Sequence, residues 1–500
     1  VREGIIKIKV KEKLSKEFCL GLLLLVIGAA ALSFIYKAPC YIPPLRIIGD
    51  VSNSYCLQSP NEIGKLEQIS FQGTKYKAIK LLDIISKAEP VANPSQLYLA
   101  GLDGFTPAIK AAEIEDCYIS FTHQNGWKAV NLKHPVSSNT KMLTEIVVVS
   151  DGSSGDFALN VIDTENNLVR VTPGQLLSRP LTRYFYPEGI AAVQNNGKDY
   201  ESQVYTKRLV FKLSDVTPVK EGDNLLVMTE KGKYRMVDNS GYFEVRDNNI
   251  SYLQPEDRTI LEQVRGVILR PPAASIMDTY YDARHYLEGG DRLLVLVLDG
   301  LNYNQYSYAA ANGYMPFLKR YGTAVKASGV YPPASNVGLA ALLTGQAPEE
   351  NGIVSEKDRQ LKASSIFAEA NRLSKKVLFL EAAPNRLDTE IQPLPVTDRN
   401  SDGNTDDDLY ETALANLDKG YDLIMVRFHD IDETGQRYGE IARPTMQAIS
   451  SLDNYLSKII SKWSGKVIIT ANQGSMSGKL AGAEAIFSNN NMFVPYWRIP

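Results

Sequence analysis

The chain has 500 residues, 44% of them hydrophobic, with 54 basic and 57 acidic side chains and a net charge of −3. A single core stops growing near ~250–300 residues, so two or three domains are expected. The two signs of charge are closely mixed, and the lack of a basic face argues against nucleic-acid binding.

Residues 18–36, FCLGLLLLVIGAAALSFIY, carry no charge, and a helix needs ~20 such residues to cross a bilayer. Ahead of them stand Arg2, Lys7, Lys9, Lys11, Lys13 and Lys16 against Glu3, Glu12 and Glu17, a basic flank of the kind retained in the cytoplasm. The expectation is a cytoplasmic tail over 1–17, a single-pass membrane anchor over 18–36 and an extracytoplasmic body. A signal peptide cleaved near Ala29-Ala30-Ala31 is the alternative. Outside the membrane, Cys40 and Cys56 are candidates for a disulfide, with unpaired small hydrophobes as the competing reading.

Residues 38–150 alternate short β-like runs with turns and predict a small β-rich α+β module. Residues 156–272 pass over similar material. Leu97-Tyr98-Leu99 reaches Gly104 after the same spacing as Leu225-Leu226-Val227 reaches Gly232. Likewise Glu113-Ile114-Glu115-Asp116 with Ile119-Ser120-Phe121 is echoed by Glu244-Val245-Arg246-Asp247 with Ile250-Ser251-Tyr252. A tandem duplication is predicted, and these modules are the expected surface for a protein partner. The first copy also resembles the small core of the sulfite-oxidase-like molybdopterin-binding fold, through Lys80-Leu81-Leu82-Asp83, Asp103-Gly104-Phe105 and His134-Pro135. The cysteine and basic residues with which that family holds its metal and pterin have no counterparts, so the resemblance implies a shape only. His123 and His134 read as surface or packing residues.

Over 288–500 the texture changes. Apolar runs at 292–298, 377–380, 423–428 and 467–470 read as strands buried on both faces. Helical segments separate them, the best being 444–463, where Leu452, Tyr455, Leu456, Ile459, Ile460 and Trp463 share a face. Strands alternating with helices predict an α/β domain with a mostly parallel sheet flanked by helices, whose ligands gather at the carboxyl ends of the strands.

Asp299-Gly300, Met315-Pro316, Tyr331-Pro332-Pro333-Ala334-Ser335, Leu343-Thr344-Gly345 with Pro348 and Asn351-Gly352-Ile353, the stretch from Asp432 to Gly439, and Met492-Phe493-Val494-Pro495 occur in an order that resembles the alkaline phosphatase superfamily. The nearest branch is type I phosphodiesterase and nucleotide pyrophosphatase. The resemblance implies two zinc-like ions straddling a phosphate and a serine or threonine nucleophile, here Ser335. It assigns one ion to Asp299, the Ser335 oxygen, Asn472 and Gln473, and the other to Asp432, Gln436 and Glu484. The family carries Asp-His where this chain has Asn472-Gln473, and histidine where it has Gln436 and Glu484. Neutral amides are poor zinc donors. A zinc pair is therefore not expected, and one weakly bound Ca²⁺, Mg²⁺ or Mn²⁺ ion is the cofactor such oxygen donors suit. His429, three residues before Asp432, is expected to face away if the strand continues. Ser335 reads either as the nucleophile or as an ordinary helix N-cap.

A second candidate, Asp398, Asn400, Asp402, Asn404 and Asp406, matches the first half of a calcium loop. Leu409 stands where the closing acid belongs, and turn and capping chemistry uses the same residues. The chain thus reads as a membrane-anchored, extracytoplasmic phosphoesterase-like protein that has lost hydrolysis and binds a ligand or partner. The alternatives are an active metal-dependent phosphodiesterase using Ser335, and a structural envelope protein.

Overall fold

The computed structural model describes residues 42–62, 64–133, 138–151, 157–195, 197–382, 386–474 and 487–500. Residues 18–36, Cys40, His134 and Glu484 lie outside them. Among the described residues no helix is long and apolar enough to cross a membrane. Residues 42–47, 55–87 and 97–146 form one compact unit, and 48–54, 88–96 and 147 onward form a second.

The first strands are β1 (Leu45–Gly49), β2 (Tyr55–Leu57), β3 (Glu67–Phe71), β4 (Thr74–Lys80), β5 (Pro94–Gly101), β6 (Ala108–Lys110), β7 (Cys117–Thr122), β8 (Gly126–Asn131) and β9 (Leu143–Ser150). They build sheets of order β2-β1-β9-β5-β6 and β3-β4-β7-β8. Next come β10 (Leu159–Asp163), β11 (Leu168–Val171), β12 (Thr182–Asn195), β13 (Lys198–Phe211), β14 (Asn224–Thr229), β15 (Tyr234–Asp238), β16 (Tyr242–Arg246), β17 (Asn249–Gln254), β18 (Thr259–Leu261) and β19 (Val264–Leu269). Their orders are β11-β10-β19-β14-β15 and β12-β13-β16-β17-β18. Strand for strand the second set repeats the first, with β18 added at one edge. The echo of Leu97-Tyr98-Leu99 in Leu225-Leu226-Val227 falls on matching strands, β5 and β14, whereas Ile119-Ser120-Phe121 lies on β7 and Ile250-Ser251-Tyr252 on β17, one strand out of step with the topology.

The remaining strands, β20 (Ala274–Ser275), β21 (Leu293–Leu298), β22 (Val325–Ser328), β23 (Val377–Ala382), β24 (Leu394–Val396), β25 (Leu423–Phe428), β26 (Lys466–Thr470) and β27 (Phe493–Ile499), form one sheet of order β20-β22-β27-β26-β21-β25-β23-β24. Five of its seven neighbouring pairs are parallel; β27 runs antiparallel to both neighbours. The central strands β21 and β25 are buried along their whole length, as parallel strands covered on both faces must be. The covering helices include α1 (Asp278–Glu288), α2 (Tyr303–Ala311), α3 (Ser335–Thr344), α4 (Asp406–Leu414), α5 (Asp430–Tyr438) and α6 (Arg443–Lys462). Helix α6 starts with proline in its first turn and buries Met446, Ile449, Leu452, Leu456 and Ile459. The change of texture near residue 272 is not a boundary between compact units. Ile162, Leu226, Met228 and Ile268 share a buried apolar cluster with Met492 and Phe493, all in the second unit.

Candidate functional site

Three strand ends and one helix start converge at the carboxyl edge of the large sheet. Asp299 follows β21, and its N–H bonds the Phe428 carbonyl at 2.9 Å. Gly300 turns the chain at φ +79°, where a Cβ would lie 2.7 Å from the Asp432 Cα. Glycine is required by both the conformation and the close approach. Asn472 and Gln473 follow β26, and the Asn472 carbonyl oxygen would stand 1.9 Å from a Cβ on Gly338 of α3. At Gly338, α3 thus meets the backbone just after β26 with no side chain between them.

Ser335 is the first residue of α3 and Ala334 holds the cap position before it, so the N-cap reading is corrected. Its hydroxyl donates to Asp299 Oδ2 at 3.1 Å and accepts from Arg427 Nη2 at 2.6 Å and Asn472 Nδ2 at 3.0 Å. Asn472 Nδ2 also bonds the Ser335 carbonyl at 2.9 Å. Asp299, Ser335 and Asn472 are therefore brought together, with Gln473 next to Asn472 in the chain, and all four are buried.

The residue that sequence reasoning missed is Arg427. It is fully buried on β25, in a run otherwise apolar, and forms ion pairs with Asp299 and Glu381. Glu381 on β23 is its direct cross-strand partner, so both side chains leave the same face of the sheet. The signal was present as one basic residue in Leu423-Ile424-Met425-Val426-Arg427-Phe428 and one acid in Val377-Leu378-Phe379-Leu380-Glu381-Ala382. A charge inside a doubly buried strand demands a buried counter-charge.

His429 is a correction as well. Its Nδ1 lies 3.3 Å from Asp299 Oδ2, because β25 ends at Phe428 and the alternation of an extended strand no longer applies. Asp432 sits in the first turn of α5, where its Oδ2 accepts from Gln436 Nε2 at 2.8 Å. The glutamine turns its amide nitrogen toward the acid, and its oxygen is not the atom engaged.

The electrostatics follow from these contacts. Burial alone would raise the Asp299 pKa, but Arg427 and His429 hold it well below the carboxylate range. Burial, reinforced by the negative charge of Asp299, pushes Asp432 up to about 7. Arg427 is held protonated by Asp299 and Glu381 against the effect of its burial. Several buried atoms here lack a partner among the described residues: Asn472 Oδ1, both amide atoms of Gln473, Asp432 Oδ1, His429 Nε2 and Glu381 Oε2.

The residues do not fit a metal ion at the first position. The Arg427 guanidinium already bonds both the Asp299 carboxylate and the Ser335 oxygen, the two atoms such an ion would join, and cation on cation is repulsive. Among the described residues, Asp432 and Gln436 alone remain for the second position. No group of three or more His, Cys, Asp or Glu suited to a metal occurs among the described residues.

The calcium-loop candidates spend their oxygens on the loop itself. Asp398 accepts from the amides of Ser401 and Gly403, Asn400 from that of Asp402, Asp402 from that of Asn404, and Asn404 from that of Asp406. Asp406 is turned inward, accepting the amides of His429 and Asp430 at 2.8 and 3.0 Å. It braces the segment that carries His429 and Asp432, and burial pushes its pKa to about 7.

Residues 293–397 match the family model of type I phosphodiesterase / nucleotide pyrophosphatase. The segment carries Asp299, Ser335 and Glu381, so this part of the chain is phosphodiesterase-like. Solved structures similar to the chain include phosphonoacetate hydrolase from Sinorhizobium meliloti 1021 (18% identity, TM-score 0.30). Two others are the murine and human ectonucleotide pyrophosphatase / phosphodiesterase 5 (18% and 17% identity, each TM-score 0.31). Each alignment covers 37% of this chain and 57% of the other. The chain thus spans little more than half the length of these solved proteins. No curated protein matches the sequence. None of these matches supports the likeness of residues 38–150 to the sulfite-oxidase-like fold.

Proposed function

We propose that the phosphodiesterase-like domain binds a ligand or partner and has given up metal-dependent hydrolysis, with Arg427 standing where the first catalytic cation would be. The observation that supports this is the buried contact of Arg427 with both Asp299 and Ser335. Nucleophilic attack needs a free lone pair on the Ser335 oxygen and a base for its proton. Both lone pairs are engaged, by Arg427 and Asn472, and the carboxylate receiving the proton has its basicity suppressed by the same arginine. The unpaired amide of Gln473 and the neighbouring acceptors are buried polar groups for a ligand to satisfy, since each orphaned buried group costs about 1–3 kcal/mol. In this reading residues 18–36 anchor the chain in a membrane with its bulk extracytoplasmic, and the tandem modules contribute partner surface.

The test is elemental analysis of the purified full chain, alongside hydrolysis of a chromogenic phosphodiester with Mn²⁺, Mg²⁺, Ca²⁺ or Zn²⁺ added singly. The expected result is substoichiometric metal and no turnover. Two tightly held ions, with turnover abolished by Ser335→Ala, would overturn it. Retention of the chain in the membrane pellet after alkaline carbonate extraction tests the anchor, and release into the supernatant would remove it.

A further inference from the structure

The hairpin of β12 and β13 differs from its counterpart in the duplicated architecture. The matching strands β3 and β4 have 5 and 7 residues, whereas β12 and β13 have 14 each. Only Val210 and Phe211 at the base of β13 pair with the next strand, β16. Beyond them the two strands pair only with each other, in a ribbon extending roughly 40 Å at ~3.3 Å per residue, whose base packs on β16–β18 through Tyr184 and Tyr186. Isolated two-stranded ribbons are marginally stable in water.

One face of this ribbon has a pattern. Its rows are the cross-strand pairs Arg183–Leu209, Phe185–Lys207, Pro187–Tyr205, Ile190–Gln203, Ala192–Glu201 and Gln194–Asp199. Phe185, Ile190, Tyr205 and Leu209 are 63%, 56%, 55% and 43% exposed, while Tyr186 and Val210 on the opposite face are buried at the base. The exposed face therefore runs from a basic base, through an apolar middle, to an acidic tip. Arg183, Lys207, Glu201 and Asp199 make no ion pair among the described residues. Lys207 and Glu201 lie six residues apart on one strand, about 20 Å, and cannot pair within one chain.

We propose that this face docks antiparallel against the same face of a second copy of the chain, making a two-fold dimer. A two-fold interface must be self-complementary, and reversing the rows satisfies that requirement. Arg183 meets Asp199 of the other copy, Lys207 meets Glu201, Phe185 covers the small Ala192, and Pro187 with Tyr205 packs on Ile190. Joining the ribbons through the β12 edge instead is disfavoured. Pro187 lacks an N–H, and the register shifts between Pro187 and Gly189 on the edge strand β12, both devices that blunt strand addition.

Sedimentation equilibrium of the full chain in neutral detergent tests the proposal. A concentration-dependent dimer is expected, and Phe185→Asp should abolish it. Lys207→Glu should weaken it by about tenfold or more, and the double variant Lys207→Glu/Glu201→Lys should return to within about threefold of the parent, because a charge pair contributes only in the correct register. Tyr200→Ser, on the other face, should change nothing. These positions are exposed, so circular dichroism should be unaltered. A monomer at every concentration, a dimer indifferent to Phe185→Asp and Lys207→Glu, or failure of the charge swap to rescue would each overturn it.

Discussion

Arg427 and Asp299 form an ion pair at the carboxyl end of the sheet in which neither side chain is more than 1% exposed. With Glu381 on the other side, one guanidinium serves two buried carboxylates. Arg427→Met should therefore leave two acids without a counter-charge and cost about 3–5 kcal/mol. Urea unfolding measures this. The triple variant Arg427→Met/Asp299→Asn/Glu381→Gln should recover most of the loss, because the penalty belongs to the stranded charges.

Ser335→Ala should act as a structural change. It removes a hydroxyl that donates to Asp299 and accepts from Arg427 and Asn472, and should lower stability by about 1–3 kcal/mol. Any background phosphodiester hydrolysis should be unaltered in a stopped assay of parent and variant side by side.

Asp406 makes stability depend on pH. In the fold it keeps its proton up to about 7, while its ordinary value is 3.8. The unfolded chain therefore releases the proton first, and the stability contributed by the protonated group is lost as pH climbs from about 4 to about 7. The full effect is up to about 4 kcal/mol. Asp406→Asn should flatten that slope, read as the difference between parent and variant unfolding free energies at pH 5 and pH 8.

Chelation should be without consequence for the fold. Incubation with EDTA, followed by gel filtration, should leave the melting temperature within ~1 °C, because removing an ion destabilises only a protein whose native state binds it. A large downward shift, restored by one added divalent ion, would place a cation in the structure.

Gly338→Ala should behave against helix propensity. Alanine normally stabilises a helix interior by about 1 kcal/mol over glycine, yet here its Cβ would stand 1.9 Å from the Asn472 carbonyl oxygen. Overpacking should win, with a net loss of about 2 kcal/mol in thermal or urea unfolding.

Much of the architecture was legible because its causes are local. Apolar runs of strand length, the amphipathic face of 444–463 and the proline at its start each report on neighbours a few residues away, and the large sheet and its helices follow from them. The echo of Leu97-Tyr98-Leu99 in Leu225-Leu226-Val227 pointed to two copies, whose sheets have the same strand order. Placement of Asp299 and Asn472 around one point was readable from strand ends, while Ser335 and Gln473 were assigned there through the family resemblance alone. The contents of that point were not readable. Arg427 pairs with Glu381 across 46 residues of chain and with Asp299 across 128, and only the parallel register of β21, β25 and β23 brings the three together. His429 likewise depended on where β25 stops.

By itself, then, the sequence determined which segments become strands and helices and which side chains stand at the strand ends, because those depend on short-range pattern. Tertiary structure alone decided that a guanidinium stands beside the serine and its acid, because the partners of a buried charge are chosen by how distant strands align.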